Sequence, residues 1–379
     1  MSVINAIAQL FGDDGYQISR SVRLRSSASA YLNRTPASAG TRTTWTWSSW
    51  VKRGTLGGTQ SVFGSSTGGS SPNFEFRFNS DAIDVYDNSG SIQWRLTTTQ
   101  VFRDPSAWYH IVLAFDSTNA TSSNRARLYV NGVQVTAFST ATYPSSSYAS
   151  YWNSTLAATI GLSVGDQFDG YLTEINFIDG QALTPSSFGQ NDPITGVWTP
   201  KKYAGTYGTN GFYLPFSDNS STTNIALDKS GNNNNWTANN ISLTAGTTYD
   251  SMIDTPTPYA DGGNGRGNYA ILNPIIGAAS GATYTITQGN LYAVLTSSSN
   301  VIEVPATMAL PTSGKWYWEV NVVSVNTTYG YPLAIGISDQ GGIGNSANFL
   351  TNCYYYLSKS GNSYTNGTPT AYGASFTAG

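Results

Sequence analysis

The sequence predicts an all-β protein built as an antiparallel sandwich, and three stretches carry that reading. Phe74-Glu75-Phe76-Arg77-Phe78-Asn79 alternates strictly, which places three rings on one face of a strand and Glu75, Arg77 and Asn79 on the other. Trp108 to Phe115 is apolar on both faces, as expected of a strand in the middle of a sandwich. Arg127 to Val135 reads as two short runs joined by Asn131-Gly132, the dipeptide that best closes a tight hairpin. No helical run of comparable quality interrupts these segments, and turn residues recur between them.

Composition narrows the function classes. A chain of 379 residues holds two or three domains and can bury a sizeable core. Charged residues make up 10 % of it, against about 25 % in an ordinary domain, and the net charge is −3. Nucleic-acid binding and polybasic docking to membranes are therefore not expected. The single Cys (Cys353) and single His (His110) exclude a disulfide framework and a Cys/His zinc site. The apolar stretch from Val3 to Phe11 is broken by Asn5 and Gln9 and has no preceding Lys or Arg, so it reads neither as a signal peptide nor as a membrane span.

Along the chain, residues 1–15 place Ile4, Ile7 and Phe11 at helical spacing with Leu10 beside them and Ser2 as an N-cap. A helix this short is marginal alone, so it packs either on its own domain or, as an anchor or oligomerisation segment, on another chain. Residues 16–199 read as one β domain. Residues 200–275 read as a Gly- and Asn-rich connector, with the Asn232 to Asn235 tract and the Asp261 to Gly267 turn, and with Gly211 to Phe216 as an edge strand because Pro215 cannot donate to a central ladder. Residues 276–379 resume the alternation. There Lys315 to Val322 is expected as an aromatic-rich strand, with Pro332 to Ser338 as its partner.

Four segments in order, Trp47 to Arg53, Trp108 to Val112, Leu128 to Val133 and Phe168 to Ile175, resemble successive strands of laminin-G-like, concanavalin A-like jelly rolls. The stretch Phe177 to Pro185, with Trp198 to Tyr203 and Gly211 to Leu214, is similar to tail-fibre-type proteins of marine bacteriophages. In those proteins a SPRY-like sandwich follows, which Gly314 to Glu319 and Ala334 to Ile337 resemble in its opening strands. The resemblance implies a jelly roll followed by a SPRY-like module that is cut short, as in an incomplete or shortened chain. It also implies a virion structural protein, assembled in the host cytoplasm and exposed on the particle, which attaches to other virion proteins through Ile4, Ile7, Leu10 and Phe11. Its further implied partners are copies of itself, a trimer being favoured, and host surface glycans. Two alternatives stay open: a capsid-decorating or horn-like fibre, and a polysaccharide-degrading enzyme of the concanavalin A-like class.

No catalytic residues are expected. Glucanases of this fold class supply their carboxylates as Glu-x-Asp-x-x-Glu on one strand, a string that does not occur here. The nearest pairs, Asp81 with Asp84 and Glu174 with Asp179, have odd spacings and read as solvated strand or turn carboxylates. His110 reads as a neutral core histidine and Cys353 as a small buried hydrophobe. No cofactor is expected. Calcium at the sandwich rim stays open through Asp81, Asp84, Asp87, Asp166 and Asp169, although no dense acidic loop is present. For glycans, Tyr143, Tyr148, Tyr151 and Trp152 in a Ser-rich loop are the candidate contacts, with loop anchoring or a protein interface as the alternative.

Overall fold

The computed structural model describes residues 16–193, 195–257, 267–275, 284–295, 303–310, 315–325, 333–338, 353–358, 360–365, 368–376 and 378. Ile4, Ile7, Leu10 and Phe11 lie outside them, as does most of the Asp261 to Gly267 turn. The chain divides into two units, Met1–Tyr269 and Ala270–Gly379.

The first unit is a sandwich of two antiparallel sheets. One runs in the order β10 (Val133–Gln134), β9 (Ala126–Val130), β8 (Trp108–Asp116), β3 (Thr44–Arg53), β15 (Gly170–Asp179), β1 (Ser21–Leu24), β20 (Ser251–Met252), with β18 (Phe212–Leu214) also on β15. The other runs in the order β11 (Phe138–Thr142), β7 (Ile92–Val101), β6 (Ala82–Asn88), β5 (Asn73–Asn79), β4 (Thr59–Ser66), β12 (Ala157–Ile160), β2 (Tyr31–Arg34), β19 (Thr237–Asn239). Two short hairpins, β13 (Leu162–Ser163) with β14 (Asp166–Gln167) and β16 (Gly189–Asn191) with β17 (Trp198–Pro200), complete it.

Alternation decides what fills the space between the sheets. Phe74, Phe76 and Phe78 of β5 all point inward. Across the space Trp45 of the opposite sheet sits edge-on to Phe74 at 5.7 Å, and Trp47 stacks at 3.8 Å on Phe63 of β4, which in turn stacks on Phe76. Offset and edge-to-face aromatic packing of this kind adds to the stabilisation from burial alone. The Asn131-Gly132 hairpin forms as expected, with both residues at positive φ (48° and 82°). Gly132 also has to be Gly because Trp198 lies over it, where a Cβ would come within 2.6 Å of the indole.

Residues 200–275 correct the sequence expectation. The segment is not merely a connector: β18 joins β15, β19 joins β2 and β20 joins β1, so it adds strands to both sheets. Charge holds its second half in place. Arg23 and Arg25 both donate to Asp250 Oδ1, at 3.0 and 2.8 Å, and Lys52 Nζ donates to Asp254 Oδ2, Asn268 Oδ1 and the Tyr269 carbonyl at 2.7 to 2.8 Å. The asparagine tract is equally engaged. Asn232 and Asn234 donate to the carbonyls of Gly208, Thr209 and Gly211, while Asp228 accepts the amides of Tyr213, Ser230 and Asn234. Side-chain amides thus satisfy backbone groups that a regular ladder would otherwise pair.

Strand β15 changes neighbour along its length. Its first half pairs with β1 and its second half with β18. Between them its register against β3 shifts after Thr173 and resumes at Asn176, and Glu174 within this bulge takes φ 52°.

The second unit contains the hairpin β21 (Tyr284–Thr287) with β22 (Tyr292–Leu295), and a meander of β23 (Ala334–Ser338), β24 (Cys353–Leu357), β25 (Asn362–Thr365) and β26 (Thr368–Ala371). The strand expected over Lys315 to Val322 is not formed. Among the described residues this stretch has no ladder partner, because β23, its expected mate, pairs with β24 instead, and Trp316, Tyr317 and Trp318 are left exposed. Strand propensity without a neighbour does not make a strand.

Candidate functional site

The same alternation that buries the rings of β5 sends Glu75 and Arg77 to the outer face of their sheet, and the neighbouring strands extend the pattern. Ile83 and Val85 of β6 point inward while Asp84 and Tyr86 point outward; Trp94 and Leu96 of β7 point inward while Arg95 and Thr97 point outward. The register aligns them in two rows, Glu75 with Tyr86 and Arg95, and Arg77 with Asp84 and Thr97.

The rows interlock. Arg95 donates from Nε to Asp84 Oδ1 at 2.7 Å and from Nη2 to Oδ2 at 2.8 Å; Thr97 Oγ1 adds a bond to Oδ1 at 2.8 Å and Arg77 Nε one to Oδ2 at 3.0 Å. Asp84 therefore accepts four hydrogen bonds, two of them from one guanidinium in the bidentate geometry that suits Arg and carboxylate. Tyr86 Oη donates to Glu75 Oε2 at 2.5 Å, and Arg77 Nη1 reaches the same oxygen at 3.4 Å. Both guanidinium groups also lie against the Tyr86 ring, at 5.0 and 5.7 Å. From the β13–β14 hairpin, Asp166 approaches Arg77 Nη1 at 3.6 Å.

Burial grades the array from bottom to top. The Glu75 and Asp84 side chains are fully buried, whereas those of Arg77 and Arg95 are 18 % and 31 % exposed. Burial raises the Glu75 carboxyl above its usual range, opposed by the Tyr86 hydroxyl, the Arg77 charge and the Ser61 hydroxyl. Burial together with Glu75 pushes Tyr86 up to about 12. Burial works against the Arg77 charge, but Glu75, Tyr86 and Asp84 outweigh it and its pKa is raised. Arg77 thus keeps its charge, and both guanidinium groups, set over buried Glu75 and Asp84, present their remaining N–H donors to solvent. Such a surface can donate hydrogen bonds to hydroxyl or ring oxygens. It supplies no nucleophile, since Asp84 is saturated and Glu75 is covered.

The loop candidates fare differently. Trp152 is buried among Trp47, Phe63, Phe74 and Phe177, so the expectation that it contacts a glycan is corrected: a ring enclosed in the core offers no platform. Tyr143, Tyr148 and Tyr151 are half-buried against the core. Arg42 lies over the Tyr151 ring at 5.5 Å, and the Tyr151 amide donates to Asp87 Oδ1 at 2.9 Å. Burial pushes Asp87 up to about 7 and raises Tyr148, with Asp87 adding to the shift of Tyr148. Among the described residues no hydrogen bond or ring contact joins these tyrosines to the Arg77 and Arg95 array.

Four carboxylates expected to be solvated are buried instead, because each has donors that replace water. Asp81 meets Arg53, Arg103 and the Gly57 amide, and Asp84 the array above. Glu174 meets Tyr16 and Tyr213, while Asp179 accepts from Thr41, Asn153 and Asn210. The same engagement tests the calcium alternative. Asp81, Asp84, Asp87, Asp166 and Asp169 face arginines, an indole N–H, amides or the Ser26 hydroxyl rather than one another, and no group of three His, Cys, Asp or Glu that could hold a metal occurs among the described residues. These residues do not fit a calcium site.

His110 is buried between two partners. Trp198 Nε1 donates to Nδ1 at 2.9 Å, which leaves the ring proton on Nε2, 2.9 Å from Ser48 Oγ, and burial lowers the pKa to about 3. It is a neutral structural histidine. Cys353 is buried within β24.

Residues 26–188 match a laminin G family model described as the concanavalin A-like lectin/glucanases superfamily. The sandwich agrees with that fold. Among solved structures, a Bacteroides ovatus protein proposed to bind carbohydrate is similar at 16 % identity and a TM-score of 0.37, with 59 % of each chain covered, so the match spans less than two thirds of that protein. A heptameric SAP-like pentraxin from Limulus polyphemus is similar at 13 % identity and a TM-score of 0.35, over 48 % of this chain and 92 % of its own. The CBM40 domain of the Ruminococcus gnavus IT-sialidase, bound to α2,3-sialyllactose, is similar at 11 % identity and a TM-score of 0.27, over 42 % and 86 %. At these values the likenesses carry no argument about function. No curated protein matches the sequence.

Proposed function

We propose that the jelly roll is a non-catalytic carbohydrate-binding module and that the outer face of β5, β6 and β7 is its binding surface. The observation that carries this reading is the pair Arg77 and Arg95, fixed on the Tyr86 ring above buried Asp84 with donors left over for a ligand. Sugar recognition needs rigid polar groups, and this face holds them: the Tyr86 ring, itself buried, is the support on which both guanidinium groups rest. Screening the whole chain on a glycan array, beside Arg95→Ala, tests it: binding to one saccharide class that the substitution removes is expected, and an array without binding overturns it.

The finer setting rests on sequence resemblance. The strand motifs of a laminin-G-like jelly roll, followed by segments similar to a SPRY-like sandwich, support a phage tail-fibre or adhesin component. In this reading residues 1–15 attach to other virion proteins, copies of the chain associate, and the β modules meet host glycans. Cryo-electron microscopy of intact particles tests it. Copies around the tail support the reading, whereas copies on the capsid favour the decoration alternative.

A further inference from the structure

Apart from the glycan face, the outer side of the other sheet carries a buried acid that the proposed function does not use. Glu174 sits in the β15 bulge at positive φ, where it is 5 % exposed and faces the stretch that leads into β1. Tyr16 Oη lies 2.9 Å from Glu174 Oε2 and 2.7 Å from Tyr213 Oη, and Tyr213 Oη lies 2.7 Å from Glu174 Oε1. All three sides of this triangle have hydrogen-bond length.

Counting protons decides its state. Three O–H···O bonds need three protons, and two phenol hydroxyls bring one each. The third belongs to the Glu174 carboxyl, which closes the ring in either sense, each group donating once and accepting once. With Glu174 ionised, one side of the triangle holds two oxygens at 2.7 to 2.9 Å with no proton between them.

The surroundings agree. Among the described residues, the titratable groups that act on Glu174 are Tyr16 and Tyr213 through their hydroxyls and Lys202 through its charge. Tyr207 is the third tyrosine on this side: burial and the Glu174 charge raise its pKa, and it turns its hydroxyl to Asn176 Oδ1 at 2.9 Å rather than to Glu174. The neighbouring cation, Lys201, donates from Nζ to the Ser186 carbonyl at 3.1 Å. Burial pushes Glu174 up to about 7, against the two tyrosine hydroxyls and Lys202, and raises Tyr16 and Tyr213 as well.

We propose that Glu174, Tyr16 and Tyr213 form a proton-dependent latch that fixes the entry of the chain into the jelly roll, closed while the carboxyl holds its proton and loosened when the proton leaves. Tyr16 is the first described residue, so the latch sets how firmly the stretch from it into β1 is held. It does not depend on the glycan reading.

Hydrogen exchange of the peptide covering residues 16–20, corrected for the intrinsic effect of pH and referenced to β3, tests the latch. In the unmodified chain, protection is expected to fall about tenfold between pH 5.5 and 8.5. Glu174→Gln brings its own amide protons, closes the triangle at both pH values and is expected to hold protection within about twofold. Tyr16→Phe removes one corner without touching the carboxyl and is expected to leave weak protection at both. A flat profile in the unmodified chain, or the same fall in Glu174→Gln, overturns the proposal. Should Glu174→Gln fail to fold, equal pH profiles for Tyr16→Phe and the unmodified chain overturn it as well.

Discussion

Arg95 grips Asp84 with two parallel hydrogen bonds, Nε to Oδ1 and Nη2 to Oδ2, across neighbouring strands β7 and β6. Because Asp84 is fully buried and Arg95 is not, the carboxylate fixes the guanidinium from below while the other end of the group meets solvent. Replacing Asp84 by Ala leaves two arginines without their shared anion. A loss of about 3 kcal/mol in unfolding free energy is expected, near the low end for breaking a buried pair because both arginines retain access to water. Thr97→Val removes only one neutral donor and is expected to cost about 1 kcal/mol. Urea titration of both variants checks the ranking.

The ammonium of Lys52 makes a second prediction. It is fully buried and held by Asp254, Asn268 and the Tyr269 carbonyl, so Asp254→Ala strands a buried charge and is expected to cost about 3 to 5 kcal/mol. The same change should expose the segment around β20 to proteolysis, since this pair ties it to β3. Equal stability of Asp254→Ala and the unmodified chain in guanidinium titrations would contradict the assignment.

Stability should depend on pH through buried groups of opposite sign: His110 on one side, and Glu174 and Asp87, joined by Glu75 and Asp254, on the other. Burial lowers His110 from 6.5 to about 3, so the folded state binds fewer protons there than the unfolded chain, and stability is lost as pH falls through that window. Burial raises Glu174 from 4.5 and Asp87 from 3.8, each to about 7, so the folded state binds more protons and stability is lost as pH rises through that window. Between pH 4.5 and 6.5 the raised carboxyls oppose one imidazole, and the net expectation is a decline with rising pH. Glu174→Gln should flatten that decline. Urea midpoints measured across this range in both chains check it.

Gly132 allows a sharper local test. Its φ of 82° and the Trp198 ring over it both disfavour a Cβ, so Gly132→Ala should destabilise by more than about 1 kcal/mol. Loss of the Trp198 contact should also free His110 Nδ1, which would appear as a changed imidazole resonance in nuclear magnetic resonance spectra.

Much of the sandwich is legible in the sequence because side-chain alternation is local. Phe74, Phe76 and Phe78 announce their inward face, and Asn131-Gly132 announces its turn. The site is less legible because it depends on register between strands. Glu75 and Arg77 are visibly outward, but nothing local shows that Arg77 lies opposite Asp84, or that Tyr86 lies between Glu75 and Arg95. Asp84 and Tyr86 alternate with Ile83 and Val85, which is the signal that could have placed them. The role of residues 200–275 is hidden for a related reason. Asp250 and Asp254 are isolated acids in a polar stretch, and only the fold brings them to Arg23, Arg25 and Lys52. Trp152 misleads because a Ser-rich loop can still send one ring into the core.

The most direct test of the central claim is isothermal titration of the saccharide found on the array into the unmodified chain, Arg95→Ala and Tyr148→Ala. Loss of charge-assisted hydrogen bonds predicts at least about tenfold weaker binding for Arg95→Ala. Tyr148→Ala should bind within about twofold of the unmodified chain. Full affinity in Arg95→Ala with loss in Tyr148→Ala would move the site to the loop and contradict the account.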